Sequence, residues 1–166
     1  SMLHCIENEV SGGLSTLVDG YTVTEKLKKD FPDFYKILSE IKVRFQFIDK
    51  TIVLEDWAEM IQLDENGNFK QVRFSPRLDF VPLLDKEKLE LYYSAREKIS
   101  ELYNSDRYRI EFKLSKGDLL MMDNHRLLHG RTTFNASEGN RFLQGCYIDY
   151  DSTEGKLKHL KRKFNF

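Results

Sequence analysis

The sequence has few cysteines and no excess of charge. Its two cysteines, Cys5 and Cys146, lie far apart and follow no CxxC or other ligand spacing, so the sequence indicates neither a disulfide framework nor a zinc site and favours a reducing, intracellular compartment. No apolar run approaches the roughly 18 residues that a membrane-spanning helix requires. The 26 basic and 27 acidic residues give a formal net charge of -1, so no overall field attracts nucleic acid or an anionic membrane. Recognition must therefore rest on a local site.

A glycine pair interrupts the first apolar part of the chain. Gly12 and Gly13 permit the positive dihedral angles of a tight connection. The flanking segments, Leu3–Glu7 and Ser15–Asp19, have the composition of strands. We therefore expect two strands that pair with each other.

Helical patterns follow in two places. Apolar residues recur at helical spacing from about Val23 to Ser39, after a Thr22 and Glu25 pair with capping-box spacing. Pro32 lacks a backbone N–H donor, so this segment is expected to divide into two helices or to restart. A second helix is predicted after Asp85, which is suited to cap it. One face of this helix comprises residues at alternating intervals of three and four: Leu89, Tyr92, Arg96, Ile99 and Tyr103.

The remaining patterns are typical of strands and turns. Apolar and polar residues alternate between residues 42 and 74, with turn residues at 65–68, and this predicts antiparallel pairing. Three later strands are expected to lie side by side: Arg107–Leu114, Asp118–Asp123 and Arg141–Asp149. A basic amphipathic helix is predicted at Glu154–Phe164. Strands with a few inserted helices predict a mainly β sandwich or jelly roll.

The most informative segment covers residues 116–131 and continues at residues 140–147. An apolar strand leads into a polar turn and then to His129 beside a glycine, and Arg141 opens the next strand twelve residues later. This layout resembles the distal half of the motif of iron(II)- and 2-oxoglutarate-dependent hydroxylases. Residues 123–131, DNHRLLHGR, are very similar to the signature of gamma-butyrobetaine and trimethyllysine hydroxylases, within the taurine dioxygenase superfamily. Further similarity at residues 3–6 and 12–20 extends the resemblance over most of the chain.

The resemblance implies a double-stranded β-helix, or jelly roll, and a role for three residues. His129 would be an iron ligand, because neutral imidazole suits Fe(II) in a site of two histidines and one carboxylate. Arg141 would bind the far carboxylate of 2-oxoglutarate, because a guanidinium pairs with a carboxylate in bidentate geometry. Tyr147 would form part of an aromatic cage around a quaternary ammonium.

The same resemblance implies the cofactors and the reaction. The cofactors would be Fe(II) and, as cosubstrate, 2-oxoglutarate, with ascorbate as an optional addition. The reaction would be hydroxylation of a small trimethylammonium-bearing carboxylate such as gamma-butyrobetaine or trimethyllysine, as in carnitine biosynthesis. We expect a small-molecule substrate, no nucleic-acid or membrane partner, a homodimer, and a cytoplasmic or mitochondrial location.

Each of these residues also has a simpler interpretation. A lone histidine at a strand end is usually satisfied by hydrogen bonds, and only the flanking motif favours His129 as a ligand. A tyrosine on a sandwich strand usually packs in the core, so Tyr147 is equally compatible with packing. His125 stands where these hydroxylases commonly have tryptophan, and we interpret it as a packing residue or an indirect hydrogen-bond donor.

The sequence lacks the second histidine and the carboxylate of the expected metal site. In the family a His-x-Asp or His-x-Glu pair supplies two ligands, because alternate residues of a strand share a face. No histidine here is followed two residues later by a carboxylate. We therefore expect residues 1–166 to be the C-terminal part of a catalytic jelly roll that is incomplete at its N-terminus and inactive by itself. Ser1 and Met2 have the character of an expression scar.

Two alternative functions are kept open by the sequence. One is a taurine-dioxygenase-like oxygenase that acts on another small acid. In addition, the segment from Arg73 to Arg77 stands where animal butyrobetaine hydroxylases tend to have asparagines, which leaves a related small carboxylate or betaine open as the substrate. The other is a metal-free binding module on the same jelly roll, because one fold supports many functions.

Overall fold

The computed structural model describes residues 1–166, which form eleven strands and four α-helices. In chain order the elements are β1 (Met2–Asn8), β2 (Ser15–Asp19), α1 (Gly20–Asp30), α2 (Pro32–Glu40), β3 (Lys42–Ile48), β4 (Val53–Glu59), β5 (Ile61–Leu63), β6 (Phe69–Val72), β7 (Asp79–Phe80), α3 (Lys86–Asn104), β8 (Arg109–Phe112), β9 (Leu119–Met121), β10 (Leu127–Arg131), β11 (Arg141–Cys146) and α4 (Tyr150–Phe164).

The chain divides into two compact units. The first unit comprises Ser1–Leu14, Lys113–Asp123 and Thr133–Phe166. The second unit comprises Ser15–Phe112 and Asn124–Thr132. Each unit is therefore built from segments that are distant in sequence.

The first unit is a three-stranded antiparallel sheet with one helix. Strand β1 lies in the middle, between β11 and β9. The buried apolar residues of this unit are Cys5, Val10, Leu114 and Met122. Helix α4 has no buried residue. The apolar interior of the first unit is therefore small.

The second unit contains the hydrophobic core. Its sheets have the strand orders β10-β2-β8 and β4-β3-β7, with a separate β5-β6 hairpin, and all the pairs are antiparallel. Helix α1 contributes Val23 and Leu27 to one continuous core, and α3 contributes Tyr92 and Ile99. Arg96 of α3 also forms a bidentate pair with the buried carboxylate of Asp79, at 2.8 and 2.9 Å.

The helices agree with the sequence patterns except at the first cap and at the start of α4, which begins at Tyr150, four residues before the predicted Glu154. Asp85 accepts a hydrogen bond from the Lys88 backbone N–H at 2.9 Å, as predicted, and Pro32 opens α2 after a break. The predicted capping box at Thr22 is wrong. Asp19 is the N-cap instead, because its carboxylate accepts from the Tyr21 backbone N–H at 3.2 Å and from the Thr22 hydroxyl at 2.9 Å.

The predicted pairing of the first two strands is also wrong, although both strands exist. Strands β1 and β2 belong to different sheets. Gly12 and Gly13 have φ values of 73° and 59°, but the pair does not reverse the chain into a hairpin. Gly12 forms a β-bridge with Phe134, and the Gly13 N–H donates to the Thr133 carbonyl at 3.0 Å. The distant segment at 133–134 thus forms the backbone hydrogen bonds that a hairpin partner would otherwise have formed.

The three later strands do not lie side by side. Strands β9 and β11 flank β1, whereas β8 pairs with β2. A turn at Lys116 and Gly117 separates β8 from β9, and Gly117 has a φ of 93°. A turn residue of this kind permits a hairpin without requiring one, and pairing is decided by the strands that are available nearby.

Candidate active site

His129 is in the middle of β10, on the sheet of the second unit that also contains β2 and β8. In the register, His129 is opposite Leu17, which is opposite Ile110. The neighbouring row contains Leu128 and Val18, which pack in the helix-covered core. Because successive side chains of a strand point to opposite faces, the imidazole of His129 points away from that core.

The face that carries His129 is open. Ile110 is 60% exposed, and His129 is itself an exposed residue. An imidazole in this position is not a packing residue of the helical core. The strand alternation therefore favours presentation of His129 to a ligand over a role in the core of the second unit.

A cavity of about 390 Å³ borders the same strand but lies on the helix-covered face. The residues that line it are Thr16, Val18, Phe74, Pro76, Ser100, Tyr103, Asn104, Arg109, Glu111, Leu128, His129, Gly130, Arg131 and Thr132. Most of the β-strand members belong to the rows of Leu128 and Gly130, which alternate with the row of His129. His129 thus borders this cavity through its strand, while its ring belongs to the other face.

The protonation state of His129 suits metal binding. The protein around the ring displaces enough water to lower the pKa of His129 below its ordinary value, although the residue is exposed. The neutral form of the ring therefore predominates at pH 7. Neutral imidazole has the lone pair that a metal ion requires.

The chain that leads to His129 is held by an ion pair that sequence reasoning missed. Arg126 donates from Nε and Nη2 to the two carboxylate oxygens of Asp19, at 2.8 and 2.7 Å. Its guanidinium lies over the Tyr21 ring, 5.3 Å from the centroid, and its carbonyl accepts from the Gly20 N–H at 2.9 Å. These hydrogen bonds also lower the pKa of Asp19. Because Asp19 caps α1, one carboxylate links the start of this helix to β10.

His125 lies just before this ion pair and is exposed. Its backbone carbonyl accepts from the Val72 N–H at 3.0 Å. The predicted packing role of its side chain is not supported by this exposure.

Arg141 opens β11 in the first unit and is partly buried there. It is opposite Asn8 of β1 in the register. Its Nη2 donates to the Gly13 carbonyl at 3.3 Å, and its guanidinium lies over the Phe134 ring, 5.2 Å from the centroid. The arginine head group is thus held by Gly13 and by an aromatic ring from the segment before β11.

Tyr147 follows the end of β11 and is 80% exposed. It is therefore not a core residue, and the packing interpretation of Tyr147 is not supported. Arg141 and Tyr147 belong to the first unit, whereas His129 belongs to the second.

Two absences concern metal binding and membrane insertion. No three His, Cys, Asp or Glu side chains of residues 1–166 form a group that could hold a metal ion. The chain thus offers one candidate imidazole ligand without the two further ligands that a facial triad requires. No helix combines the length and apolar character needed to cross a bilayer.

Comparisons with known proteins identify a single family. The model of the family described as "Taurine catabolism dioxygenase TauD, TfdA family" matches residues 1–147. Gamma-butyrobetaine dioxygenase of Homo sapiens is 34% identical over 172 residues, which cover 98% of this chain and 43% of that protein. The gamma-butyrobetaine dioxygenase of Pseudomonas sp. (strain AK-1) is 32% identical over 160 residues, covering 96% of this chain and 42% of that protein. The chain thus spans less than half the length of these curated relatives.

A solved structure of an asparagine oxygenase, in complex with Fe(II), 2S,3S-3-hydroxyasparagine and succinate, has a similar fold. Its TM-score is 0.65 at 18% identity, and the match covers 86% of this chain and 42% of that chain. This likeness shows the fold. Together with the observed strands and helices, it confirms the predicted jelly roll with inserted helices. The resemblance inferred from residues 116–147 is confirmed by the family match.

Proposed function

The chain belongs to the taurine catabolism dioxygenase family TauD, TfdA, and we propose that its parent protein is an Fe(II)- and 2-oxoglutarate-dependent hydroxylase. The substrate class that we propose is a small trimethylammonium-bearing carboxylate, such as gamma-butyrobetaine or trimethyllysine. The observation that carries this proposal is the similarity to gamma-butyrobetaine dioxygenases over nearly the whole chain. In this proposal residues 1–166 are the C-terminal part of the catalytic domain.

Residues 1–166 do not form a complete iron site. His129 fits one ligand position, because its lowered pKa favours the neutral imidazole and because the residue is exposed and directed away from the helical core. The other two ligands would come from parts of the parent protein outside these residues. The greater length of the curated relatives supports this division. By itself, the 166-residue chain is expected to bind iron poorly and to have no turnover.

Arg141 and Tyr147 would provide recognition. A guanidinium remains charged at all physiological pH values and pairs with a carboxylate through two parallel hydrogen bonds. Arg141 would in this way hold the far carboxylate of 2-oxoglutarate and orient the cosubstrate. Tyr147 would contribute a ring face to a trimethylammonium group, which lacks N–H donors and is attracted by cation–π interaction. Its 80% exposure leaves the ring accessible for this role.

The biological setting is part of the same proposal. We infer a small-molecule substrate, a homodimeric enzyme and a cytoplasmic or mitochondrial location. Carnitine biosynthesis is the pathway that suits the proposed substrate class.

The test is an assay of the upstream-extended protein. Iron-dependent decarboxylation of 2-oxoglutarate is measured with gamma-butyrobetaine, trimethyllysine and taurine. Turnover with a trimethylammonium substrate supports the proposal. Preference for taurine would indicate the sulfonate-type oxygenase, and no decarboxylation with any substrate, together with no iron binding, would indicate a metal-free module.

The role of Arg141 is tested in the same protein. Arg141→Ala should raise the KM for 2-oxoglutarate by about tenfold to a hundredfold. This increase corresponds to the binding free energy lost with a hydrogen bond to a charged group. The KM for the trimethylammonium substrate should change much less. Arg162→Ala, on the exposed surface of α4, is the matched control and should leave both constants unchanged. Equal losses for cosubstrate and substrate would contradict the role of Arg141.

A further inference from the structure

Gly13 lies directly against the side chain of Arg141. A Cβ atom added at Gly13 would be 2.9 Å from Arg141 Nε and 3.3 Å from Arg141 Cδ. It would also be 3.3 Å from the Cβ atom of Phe134, the residue whose ring lies under the guanidinium. Glycine at position 13 therefore leaves the space that the arginine occupies, in addition to permitting a φ of 59°.

The two glycines of the pair have different neighbours. A Cβ atom at Gly12 would be 2.4 Å from the backbone carbonyl oxygen of Thr133. Glycine at position 12 is thus required for the backbone bridge to Phe134, and its role is to allow the chain to fold. Gly13 instead adjoins a functional side chain and also accepts from it, since Arg141 Nη2 donates to the Gly13 carbonyl at 3.3 Å.

An arginine has four rotatable side-chain bonds, and an unsupported head group samples many orientations. Two contacts reduce this freedom, one with the Gly13 carbonyl and one with the Phe134 ring, and the absence of a Cβ atom at Gly13 leaves room for the arginine in this position. The ring contact is a cation–π interaction, and the carbonyl accepts one of the five N–H donors of the guanidinium. Their combined effect is to set the plane of the guanidinium before a ligand arrives.

We propose that Gly13 and Phe134 are positioning residues for 2-oxoglutarate, because they orient the Arg141 guanidinium toward its carboxylate. This inference rests on the proposed function, which assigns Arg141 to that carboxylate. Neither residue needs to touch the cosubstrate. Their effect is exerted through Arg141 and should appear in the affinity for 2-oxoglutarate.

The test uses the full-length protein and measures the Kd for 2-oxoglutarate by calorimetry, with KM, kcat and the midpoint of thermal unfolding alongside. Gly13→Ala is compared with Gly117→Ala. Gly117 also has a positive φ, 93°, but a Cβ atom there has no neighbour within 4 Å. Both substitutions therefore strain the backbone, and only the first displaces Arg141. Gly13→Ala should raise the Kd for 2-oxoglutarate about tenfold, a magnitude typical of losing a group that orients a ligand-binding residue.

A second pair of variants keeps the test decisive if Gly13→Ala fails to fold. Phe134→Leu removes the ring under the guanidinium and should also raise the Kd for 2-oxoglutarate. Phe134→Tyr retains the ring, so its Kd for 2-oxoglutarate should equal that of the wild-type protein. Phe164→Leu, at a 58% exposed position of α4, is the control and should have no effect. In the supporting result, KM for 2-oxoglutarate rises while KM for the trimethylammonium substrate does not.

The outcomes separate this inference from the proposed function. If the wild-type protein binds no 2-oxoglutarate, or if Arg141→Ala binds it normally, the function assigned to Arg141 is wrong. If Arg141→Ala loses binding while Gly13→Ala matches Gly117→Ala and Phe134→Leu matches Phe164→Leu, the function stands and the positioning role is overturned.

Discussion

The two units of this chain differ in how their secondary structure is supported. Thirteen buried residues of the second unit form one cluster, to which α1, α2 and α3 all contribute. In the first unit only Cys5, Val10, Leu114 and Met122 are buried apolar residues, and α4 buries none of its residues. Hydrophobic burial is the main favourable contribution to folding. The second unit should therefore hold its structure much more firmly.

This difference applies directly to the candidate site. His129 lies on a sheet whose opposite face is covered by the helical core. Arg141 lies on a sheet with little core, and its head group is oriented by local contacts with Gly13 and Phe134. A metal ligand would thus be placed by a packed scaffold, whereas the carboxylate-binding residue depends on a few specific contacts.

The largest expected difference is in amide hydrogen exchange of the 166-residue chain. Amides in the middle of α3, beside Tyr92 and Ile99, should exchange only through global unfolding. Amides of α4 should exchange at least about a thousandfold faster, because no buried side chain holds that helix. The measurement is hydrogen–deuterium exchange followed by mass spectrometry. Equal protection of the two helices would show that both units unfold as one cooperative body.

A smaller effect is expected from truncating core residues. Tyr92→Ala should lower the free energy of unfolding by about 3–5 kcal/mol, since Tyr92 is fully buried and its loss leaves a large cavity. The neighbouring substitution Tyr93→Ala, at a 51% exposed position of the same helix, should cost less than about 1 kcal/mol. Leu157→Ala in α4 should have a similarly small effect. Urea unfolding measures all three, and a large loss at Leu157 would contradict the contrast between the units.

The smallest expected effect concerns the acid stability of the second unit. Pairing with Arg126 lowers the pKa of Asp19 from 3.8, so the unfolded state binds a proton more readily than the folded state. The resulting stability is present above the unfolded pKa and is lost as pH falls through the lower folded value. Asp19→Asn should make the decline of stability below about pH 4 shallower, by less than about 1 kcal/mol because Arg126 is half exposed.

This prediction has an internal control. Asparagine is as good an N-cap as aspartate, so Asp19→Asn retains the start of α1 and removes the charge. The check is chemical denaturation at a series of pH values from 2 to about 7. An unchanged pH dependence would show that the ion pair between Asp19 and Arg126 contributes nothing to stability.

The helices could be predicted from the sequence because their determinants are local. Asp85 caps α3 three residues before the backbone N–H that it binds, and Pro32 opens α2 at the first position where proline is tolerated. The N-cap of α1 was predicted wrongly because two nearby residues can each cap the start of this helix. Asp19 competes with the capping box at Thr22, and its charged pairing with Arg126, 107 residues away, favours the earlier start.

By itself, the sequence determined the family, the candidate ligand His129 and the candidate carboxylate-binding residue Arg141, because a motif is a pattern of residue types at short spacing. Tertiary structure alone decided that β1 pairs with β9 and β11, and that Gly13 and Phe134 hold the arginine. Strand pairing and side-chain support depend on contacts between distant segments. Gly13 and Arg141 are 128 residues apart, and no local preference of either residue specifies that they meet.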